Sequence, residues 1–536
     1  MPILSQGVFK VAKVLVSDKL AAEGIDILKT VADVDVNTGL SEDELCAIIG
    51  NYDALVIRSG TQVTAKVLES AKNLKIIGRA GVGVDNVDVP VATEKGVIVV
   101  NSPSGNTIAA AELSVAMLLA LSRNIPQANM SMKEKQWQRS KFVGNEVYHK
   151  TLAVLGLGKI GREVAKRCKS FGMKVIAYDP FLPAEAAESM GISLLSMDEC
   201  LAKADYITLH LPKNKDTMGL IGKEQFAMMK DGVRIINCAR GGIIDDDALI
   251  EALKSGKAAG AAIDVYVSEP PDFSSELFEL PNVVTTPHLG ASTKEAQINV
   301  AIDVAEQIAD VFSGKSARSA VNMPSVPADV LAVITPYLPL AEKMTSLAAQ
   351  MVNGGPTSVK IGYYGELAGI QASHLTRAVL VGLLQSSLGD GVNFLNAVNV
   401  GKARGIEGSE TRYSECKDYP SMITVSVKTD KDECSVSGAL FGSKDIRIVN
   451  INGFAMDFAP EGNIIIAPHT DKAGIIGKVG TIIGATGINI ATMHVGRKDA
   501  GKKAIMIMNL DGEVSADTVK ELAAIDGIES VKQVKL

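Results

Sequence analysis

"VLGLGKIG", residues 154–161, decides how this chain is to be read. Gly156, Gly158 and Gly161 stand as G-x-G-x-x-G directly after the β-branched run "TLAVL" and directly before "REVAKRCKSF", which has helical character. The next strand-like run, "KVIAY", ends beside Asp179. A glycine-rich turn alone is a weak signal, but between a strand and a helix, with an acid closing the following strand, it has a physical purpose. The first glycine permits a tight turn, the second lets a pyrophosphate approach the backbone, and the third lets helix and strand pack closely. Helix N–H groups then face the phosphates. Asp179 is able to accept from both ribose hydroxyls and would repel a 2′-phosphate, which favours NAD over NADP. The segment reads as a dinucleotide site. A rival phosphate loop, "GKS" at 314–316, has Ala309 where the first glycine is required, and fails.

The same alternation extends both ways from this motif. Upstream, "KVLVS" precedes "DKLAAEGIDILKTV", "ALVIR" precedes "TAKVLESAKN", and "LKIIGRAG" and "GVIVVNSP" come next; downstream the series runs to "NVVTTPHLG". Strands alternating with helices imply parallel sheets with right-handed crossovers. Two such series, joined by helices near 107–123, predict two doubly wound domains. After about residue 320 the pattern changes: "NMPSVPADVLAVITP" marks an exit, 335–455 mix helices and strands, and the end of the chain reads strand, helix, strand, strand, helix, strand. That last order is a ferredoxin-like unit. The expected division is a substrate-type domain at 11–106 with 291–322, a Rossmann-type domain at 107–290, an α+β intervening domain at 323–458 and a terminal unit at 462–536.

Composition narrows the class. With 536 residues, 47% apolar and 21% charged, this is globular sequence with enough chain for several cores. A formal charge of −7 with no long basic block argues against a nucleic-acid partner. Six scattered cysteines without a CxxC suggest a reducing compartment and neither a disulfide framework nor a metal site. The apolar stretch 108–122 falls short of a membrane span and contains Glu112. "MPILSQGVFK" shows no targeting signal, so the cytoplasm is expected, or the plastid stroma if a transit peptide has been removed.

Chemistry is expected at strand ends, where open parallel sheets bind ligands. "VRIINCARGG" ends a strand at Arg240, "AAIDVYVSEPP" places Asp264 and Glu269 past the next, and "NVVTTPHLGAS" places His288 past a third. Oxidising an alcohol beside a carboxylate needs a base for the hydroxyl proton, which suits histidine, and a planar cation for the carboxylate, which suits arginine. Singly, each residue has a plainer reading: a surface arginine, capping acids, a satisfied structural histidine. Together at successive strand ends they point to a site, with Glu269 fixing the imidazole. "GRAGVGVDNVD", 78–88, reads as a loop where backbone amides and Arg79 meet an anion.

At these residues the chain resembles the D-isomer-specific 2-hydroxyacid dehydrogenases, through "VIRSGTQVT", "GRAGVGVDNVD", "NSPSGNTIAAAE", "GLGKIG", "NCARGGIIDDDAL", "DVYVSEPP" and "PHLGASTKEAQ". The resemblance implies NAD-dependent oxidation of 3-phospho-D-glycerate to 3-phosphooxypyruvate, opening serine synthesis. It implies Arg240, Glu269 and His288 as catalytic residues. Val82 (a threonine in some relatives), Gly156, Gly158, Lys159, Ile160, Gly161, Asp179, Leu211, Cys238, Ala239, Arg240, Asp264, His288, Leu289 and Gly290 would surround NAD. Arg58, Arg79 and Asn106 would line the substrate side. "QWQRSKF" resembles a loop serving a neighbouring subunit's substrate, which makes Arg139 and Lys141 candidates in trans, although a solvated face remains open. The terminal unit resembles an ACT domain, a sensor of amino acids, with L-serine as effector at His469, Asp471 and Asn489; Lys472-Ala473-Gly474 stands where relatives carry Arg-Pro-Gly. A homo-oligomer, a tetramer built through the NAD-binding and ACT domains, is implied. The intervening stretch has Lys402 and Arg404 for an anion, or a purely architectural role. Two rivals stay open: a glyoxylate or hydroxypyruvate reductase, and a non-catalytic NAD-sensing regulator.

Overall fold

The structure is a computed structural model that describes residues 11–323, 326–499 and 501–536. The opening decapeptide read for targeting, and Pro324 and Ser325 of the proline-bearing exit, lie outside the described residues.

The first sheet contains β1 (Lys13–Val16), β2 (Asp33–Val36), β3 (Ala54–Ile57), β4 (Ile76–Arg79) and β5 (Ile98–Asn101) in the order β2-β1-β3-β4-β5. β1 runs parallel to β2 and β3, and β3 to β4. The long helix Lys294–Phe312 returns to this sheet from far along the chain. Gly24 and Gly78 allow that approach: a methyl on Gly24 would lie 2.8 Å from the Ala301 carbonyl, and one on Gly78 would strike Val304.

The second sheet contains β6 (Thr151–Leu155), β7 (Lys174–Tyr178), β8 (Ser193–Leu194), β9 (Tyr206–Leu209), β10 (Val233–Asn237), β11 (Ala258–Ile263) and β12 (Val283–Thr285). Its order is β12-β11-β10-β9-β6-β7-β8, parallel throughout. The chain grows outward from β6 through β7 and β8, then crosses back to β9. The reversal between β6 and β9 is a topological switch point, where such sheets leave a crevice at their carboxyl ends. Helix Thr107–Ser122 covers one face, with Ala111, Val115, Leu118 and Leu121 packed on Leu152, Val154 and Ile236. It bends by 66° into Ile125–Lys133, through Asn124 at φ 52°, and among the described residues no single helix is long and apolar enough to cross a membrane.

The third sheet is mixed: β13 (Pro356–Gly365), β14 (Glu407–Tyr413), β15 (Ser421–Thr429), β16 (Glu433–Phe441), β17 (Asp445–Ile451) and β18 (Phe454–Phe458), ordered β14-β13-β15-β16-β17-β18. Within it, β13 and β14 pair in parallel and the other neighbours are antiparallel. The fourth, antiparallel, has β19 (Asn463–Thr470), β20 (Ile490–Arg497), β21 (Lys503–Leu510) and β22 (Lys532–Lys535) in the order β20-β21-β19-β22. Helices Ile475–Ala485 and Ala516–Ala523 complete the expected β-α-β-β-α-β unit.

Strand alternation splits this last sheet into two buried faces. Ile465, Ala467, Met506 and Met508 pack against Ile475, Val479, Ile483 and Leu522 of its own helices. Ile464, Ile466, Ile505, Ile507 and Val534 instead join a core with Leu340, Met344 and Leu347 of helix Tyr337–Met351 and with Val436 and Ile451. Asn509 closes the junction, its Nδ2 donating to the Ala459 and Glu461 carbonyls at 3.2 and 3.0 Å. Third and fourth sheets therefore share one core.

The chain falls into two compact units. One takes the described residues up to Val63, with Ser70–Asn86 and Val100–Ser319; the other takes Thr64–Glu69, Val87–Val99 and Ala320–Leu536. Within the second, Asn322 Nδ2 donates to Thr93 Oγ1 and the Val97 carbonyl, and Asn393 Nδ2 donates to the Gly96 carbonyl.

Candidate functional site

β10, β11 and β12 finish level with one another, since Asn237 pairs with Ile263 and Ala262 with Val284 in the parallel register. The segments leaving these strands are thus carried to one rim. Past β11 comes Asp264, which is 0% exposed. Its carboxylate accepts the Thr286 hydroxyl at 2.6 Å and the Leu289 and Gly290 N–H groups at 2.7 and 3.0 Å. Its backbone carbonyl accepts the His288 N–H at 2.9 Å. Burial raises this carboxyl above its ordinary range, and the three donors pull against that rise. These bonds wrap the chain around one buried acid and hold His288 at φ 54°, a left-handed backbone that costs a non-glycine residue about 1–3 kcal/mol.

The side chain so presented meets a second carboxylate. His288 Nδ1 lies 2.6 Å from Glu269 Oε2, and Glu269 Oε1 accepts the Tyr266 N–H at 3.2 Å. Burial alone would raise the Glu269 carboxyl, but His288, the Tyr266 N–H and Arg240 together hold it below the usual carboxylate range. An ionised carboxylate only accepts, so the Nδ1 hydrogen points at Glu269, and in the neutral ring it is Nε2 that carries the lone pair. The ring remains 41% exposed, open to a reactant.

Past β10, Arg240 donates through Nε to Asp85 Oδ2 at 3.2 Å and through Nη1 to the Ala239 carbonyl at 2.7 Å. Arg79, at the end of β4, is pushed down to about 10, chiefly by burial and then by the charges of Arg240 and, more weakly, Arg58, against the pull of Asp85 and Asp18. Its Nε is buried without a hydrogen-bond partner. Arg58 is anchored by its backbone N–H on Asp18 Oδ2 at 2.6 Å. Arg79 thus lies within electrostatic reach of both Arg240 and Arg58 and keeps one unsatisfied N–H, a combination of groups suited to an anion. Gly81, at φ 153°, has a backbone that favours glycine, and a methyl at Gly83 would displace the Arg240 guanidinium from its place.

The dinucleotide motif passes a direct test of fit. Gly156 has φ 94°, and a methyl there would lie 2.6 Å from the His210 carbonyl; at Gly161 it would strike the Gly156 carbonyl. At Gly158 it would meet nothing within 4 Å. The outer glycines are demanded by the protein's own backbone, while the middle one borders open space at the N-terminus of helix Lys159–Ser170, which has no side-chain cap. Asp179 Oδ2 and Oδ1 accept the Leu157 and Phe181 N–H groups at 2.9 and 3.0 Å, and each oxygen retains a lone pair for a ribose hydroxyl. These residues fit NAD. Lys159 Nζ donates to Ser104 Oγ at 2.5 Å. Ile160 and Leu211 pack partly buried at the edges of two cores. Burial pushes the Cys238 thiol up to about 12, so it is neutral. The Ala239 N–H donates to Asn237 Oδ1 at 3.1 Å, the Val82 carbonyl accepts Asn101 Nδ2 at 2.5 Å, and Asn106 Oδ1 is buried without a partner.

The other expected residues belong to other segments of the chain. Arg139 and Lys141 sit on the exposed turn Arg139–Phe142, after a Trp137 that is 75% exposed, and neither has an ion pair among the described residues. In the fourth sheet His469 is 2% exposed, with Nδ1 on the Ala467 carbonyl. Asp471 Oδ2 accepts Gly501 N–H and Arg497 Nη1, and Asn489 Nδ2 donates to Asp511. Each of the three is thus held by its own neighbours. Sequence reasoning overlooked Asp85, Thr286, Tyr266 and Ser104. Asp85 and Thr286 stand inside motifs whose other residues are legible, but nothing local reveals which donor an acid will meet.

Three segments match known families: residues 115–290 the D-isomer specific 2-hydroxyacid dehydrogenase NAD binding domain, 333–452 the D-3-phosphoglycerate dehydrogenase intervening domain, and 465–527 the ACT domain. A D-3-phosphoglycerate dehydrogenase of Synechocystis is 48% identical over 98% of this chain and 95% of its own length. One from Archaeoglobus fulgidus is 46% identical over 98% of this chain and 100% of its own. Among solved structures, D-lactate dehydrogenase from Aquifex aeolicus, complexed with NAD and lactic acid, superposes with a TM-score of 0.53 at 27% identity, covering 58% of this chain and 100% of that one.

Proposed function

The chain belongs to the D-3-phosphoglycerate dehydrogenases among the D-isomer-specific 2-hydroxyacid dehydrogenases, and from that premise we propose that it oxidises 3-phospho-D-glycerate at C2 to 3-phosphooxypyruvate, the entry into serine synthesis. It is an NAD-dependent oxidoreductase. The observation that supports the substrate reading is that Arg240 lies within electrostatic reach of Glu269, the partner of His288, while Arg79 lies within reach of both Arg240 and Arg58. A carboxylate and a phosphate on one three-carbon acid call for that density of cations.

The residues divide the work between them. NAD, when bound against Gly156–Gly161 and Asp179, supplies the acceptor for the C2 hydride. Neutral His288 takes the C2 hydroxyl proton on Nε2. The positive charge that develops on the imidazole is met at Nδ1–H by Glu269, already ionised. Arg240 grips the carboxylate and stabilises negative charge on the C2 oxygen, while Arg79 and Arg58 hold the remaining anionic group. Asp264, by fixing the Thr286–Gly290 turn, keeps His288 in register and would meet the nicotinamide carboxamide.

Beyond one chain, the exposed Arg139 and Lys141 would serve the phosphate of a substrate in a neighbouring subunit of a homo-oligomer, a tetramer assembled through its NAD-binding and ACT domains. The ACT match supports control by a small ligand, and L-serine would bind beside Asp471 and Asn489. His469, being buried, would shape that site from beneath.

The test is NADH absorbance from purified protein with NAD and 3-phosphoglycerate, beside unphosphorylated D-glycerate, with and without serine. Turnover of the phosphorylated acid alone, suppressed by serine, is the expected result. Equal turnover of D-glycerate would replace the proposal with a general hydroxyacid dehydrogenase.

A further inference from the structure

Arginine has many rotamers, and an unpinned Arg240 would spread its guanidinium over several orientations. Here two of its five N–H bonds are committed: Nε to Asp85 Oδ2 and Nη1 to the Ala239 carbonyl. Because the group is planar, two directional hydrogen bonds together with its covalent tether at Cδ restrict the orientation of the plane. The absence of a side chain at Gly83 lets the loop bearing Asp85 lie directly against Nη2. What remains is one N–H on Nη1 and two on Nη2: one N–H of each Nη makes the end-on pair with the spacing of a bidentate contact, and the second Nη2 N–H lies on the Nε side, toward Asp85.

We infer that Asp85 is a positioning residue that sets the plane of Arg240, so that the free Nη1–Nη2 edge meets the carboxylate and C2 oxygen of a 2-hydroxy acid. This rests on the reading of Arg240 given above. As an ion pair the contact is worth little, since the Asp85 side chain is 62% exposed. Its consequence is geometric: the substrate finds a cation already oriented, and the ordering cost has been met before binding. The same carboxylate is a counter-charge for Arg79, which otherwise faces Arg240 and Arg58, with Asp18 as the other acid.

The experiment compares the wild-type protein with Asp85→Ala and the isosteric Asp85→Asn. Oxalate, a rigid mimic of the carboxylate and C2 oxygen, is titrated into the NADH-loaded protein and followed by NADH fluorescence; turnover of 3-phosphoglycerate is measured in parallel. Asp85→Ala is expected to weaken oxalate at least tenfold and to lower kcat/KM by about 100-fold, the size typical of a misplaced contact, with NADH affinity within about twofold of wild type. Asp85→Asn, which keeps an acceptor without the charge, should fall between. Its rise in KM at alkaline pH should begin at lower pH, because Arg79 loses a neighbour that favours its proton.

Oxalate affinity within threefold of wild type in both variants would overturn the inference, and so would parallel loss of NADH affinity and melting temperature. A wild-type protein silent toward 3-phosphoglycerate, whose oxalate affinity still drops on Asp85→Ala, would overturn the substrate reading and leave the role of Asp85 standing.

Discussion

Two histidines, His288 beyond β12 and His469 within β19, occupy opposite situations, and so do the regions around them. His288 is half exposed on a left-handed backbone, with one ring nitrogen held by Glu269 and the other open. His469 is buried, with its Nδ1 on the Ala467 carbonyl of its own strand. Around His288 the protein leaves groups unfinished: a partnerless Arg79 Nε, a partnerless Asn106 Oδ1 and open space over Gly158. Around β19 and β21, the two strand faces are filled and the polar candidates Asp471 and Asn489 pair with neighbours, while Asn463 Oδ1 at the start of β19 and Gln533 Oε1 of β22 are also buried without a partner. Unsatisfied polar groups are costly, so the difference between the regions lies in what accompanies them: an open imidazole nitrogen at His288 and open space over Gly158.

The comparison breaks most sharply at His288. His288→Asn should lower kcat by about 10²–10⁴-fold, the range for a general base, with NADH affinity retained by fluorescence titration. If turnover survives, the exposed ring is not the proton acceptor. The opposite region should fail in the opposite way. Ile507 is fully buried in the core shared by the third and fourth sheets. Ile507→Ala should cost about 2–5 kcal/mol of stability, read from denaturant melting of the C-terminal part, while kcat at low denaturant stays close to wild type. A loss of turnover without a loss of stability would mean that the shared core serves the chemistry directly. The smallest effect separates cofactor fit from folding. Gly158→Ala should leave the melting temperature unchanged, since its methyl meets nothing within 4 Å, yet weaken NADH at least tenfold by invading the pyrophosphate space. Unchanged NADH affinity would place the cofactor elsewhere.

Much of this was legible in the sequence, for reasons that differ from element to element. The Gly156–Gly161 turn was readable because its outer glycines answer local steric demands, visible as backbone clashes, and the middle one leaves room for a pyrophosphate. The rim of Arg240, Asp264, Glu269 and His288 was readable because parallel strands must end together. Asp85 was not. It meets Arg240 across 155 residues, and no periodicity encodes such a meeting. Nor was the burial of His469, since an antiparallel strand of alternating residues looks the same whether one face or two are covered.

By itself, the sequence determined the strand–helix alternation, the dinucleotide turn and the class of chemistry, because these derive from spacing along the chain and from the character of individual side chains. Only the tertiary structure decided which acid holds Arg240, which buried carboxylate bends the chain at His288, and which sheet is sealed on both faces. Those outcomes depend on pairs distant in sequence, whose energies arise only when packing has already brought them together.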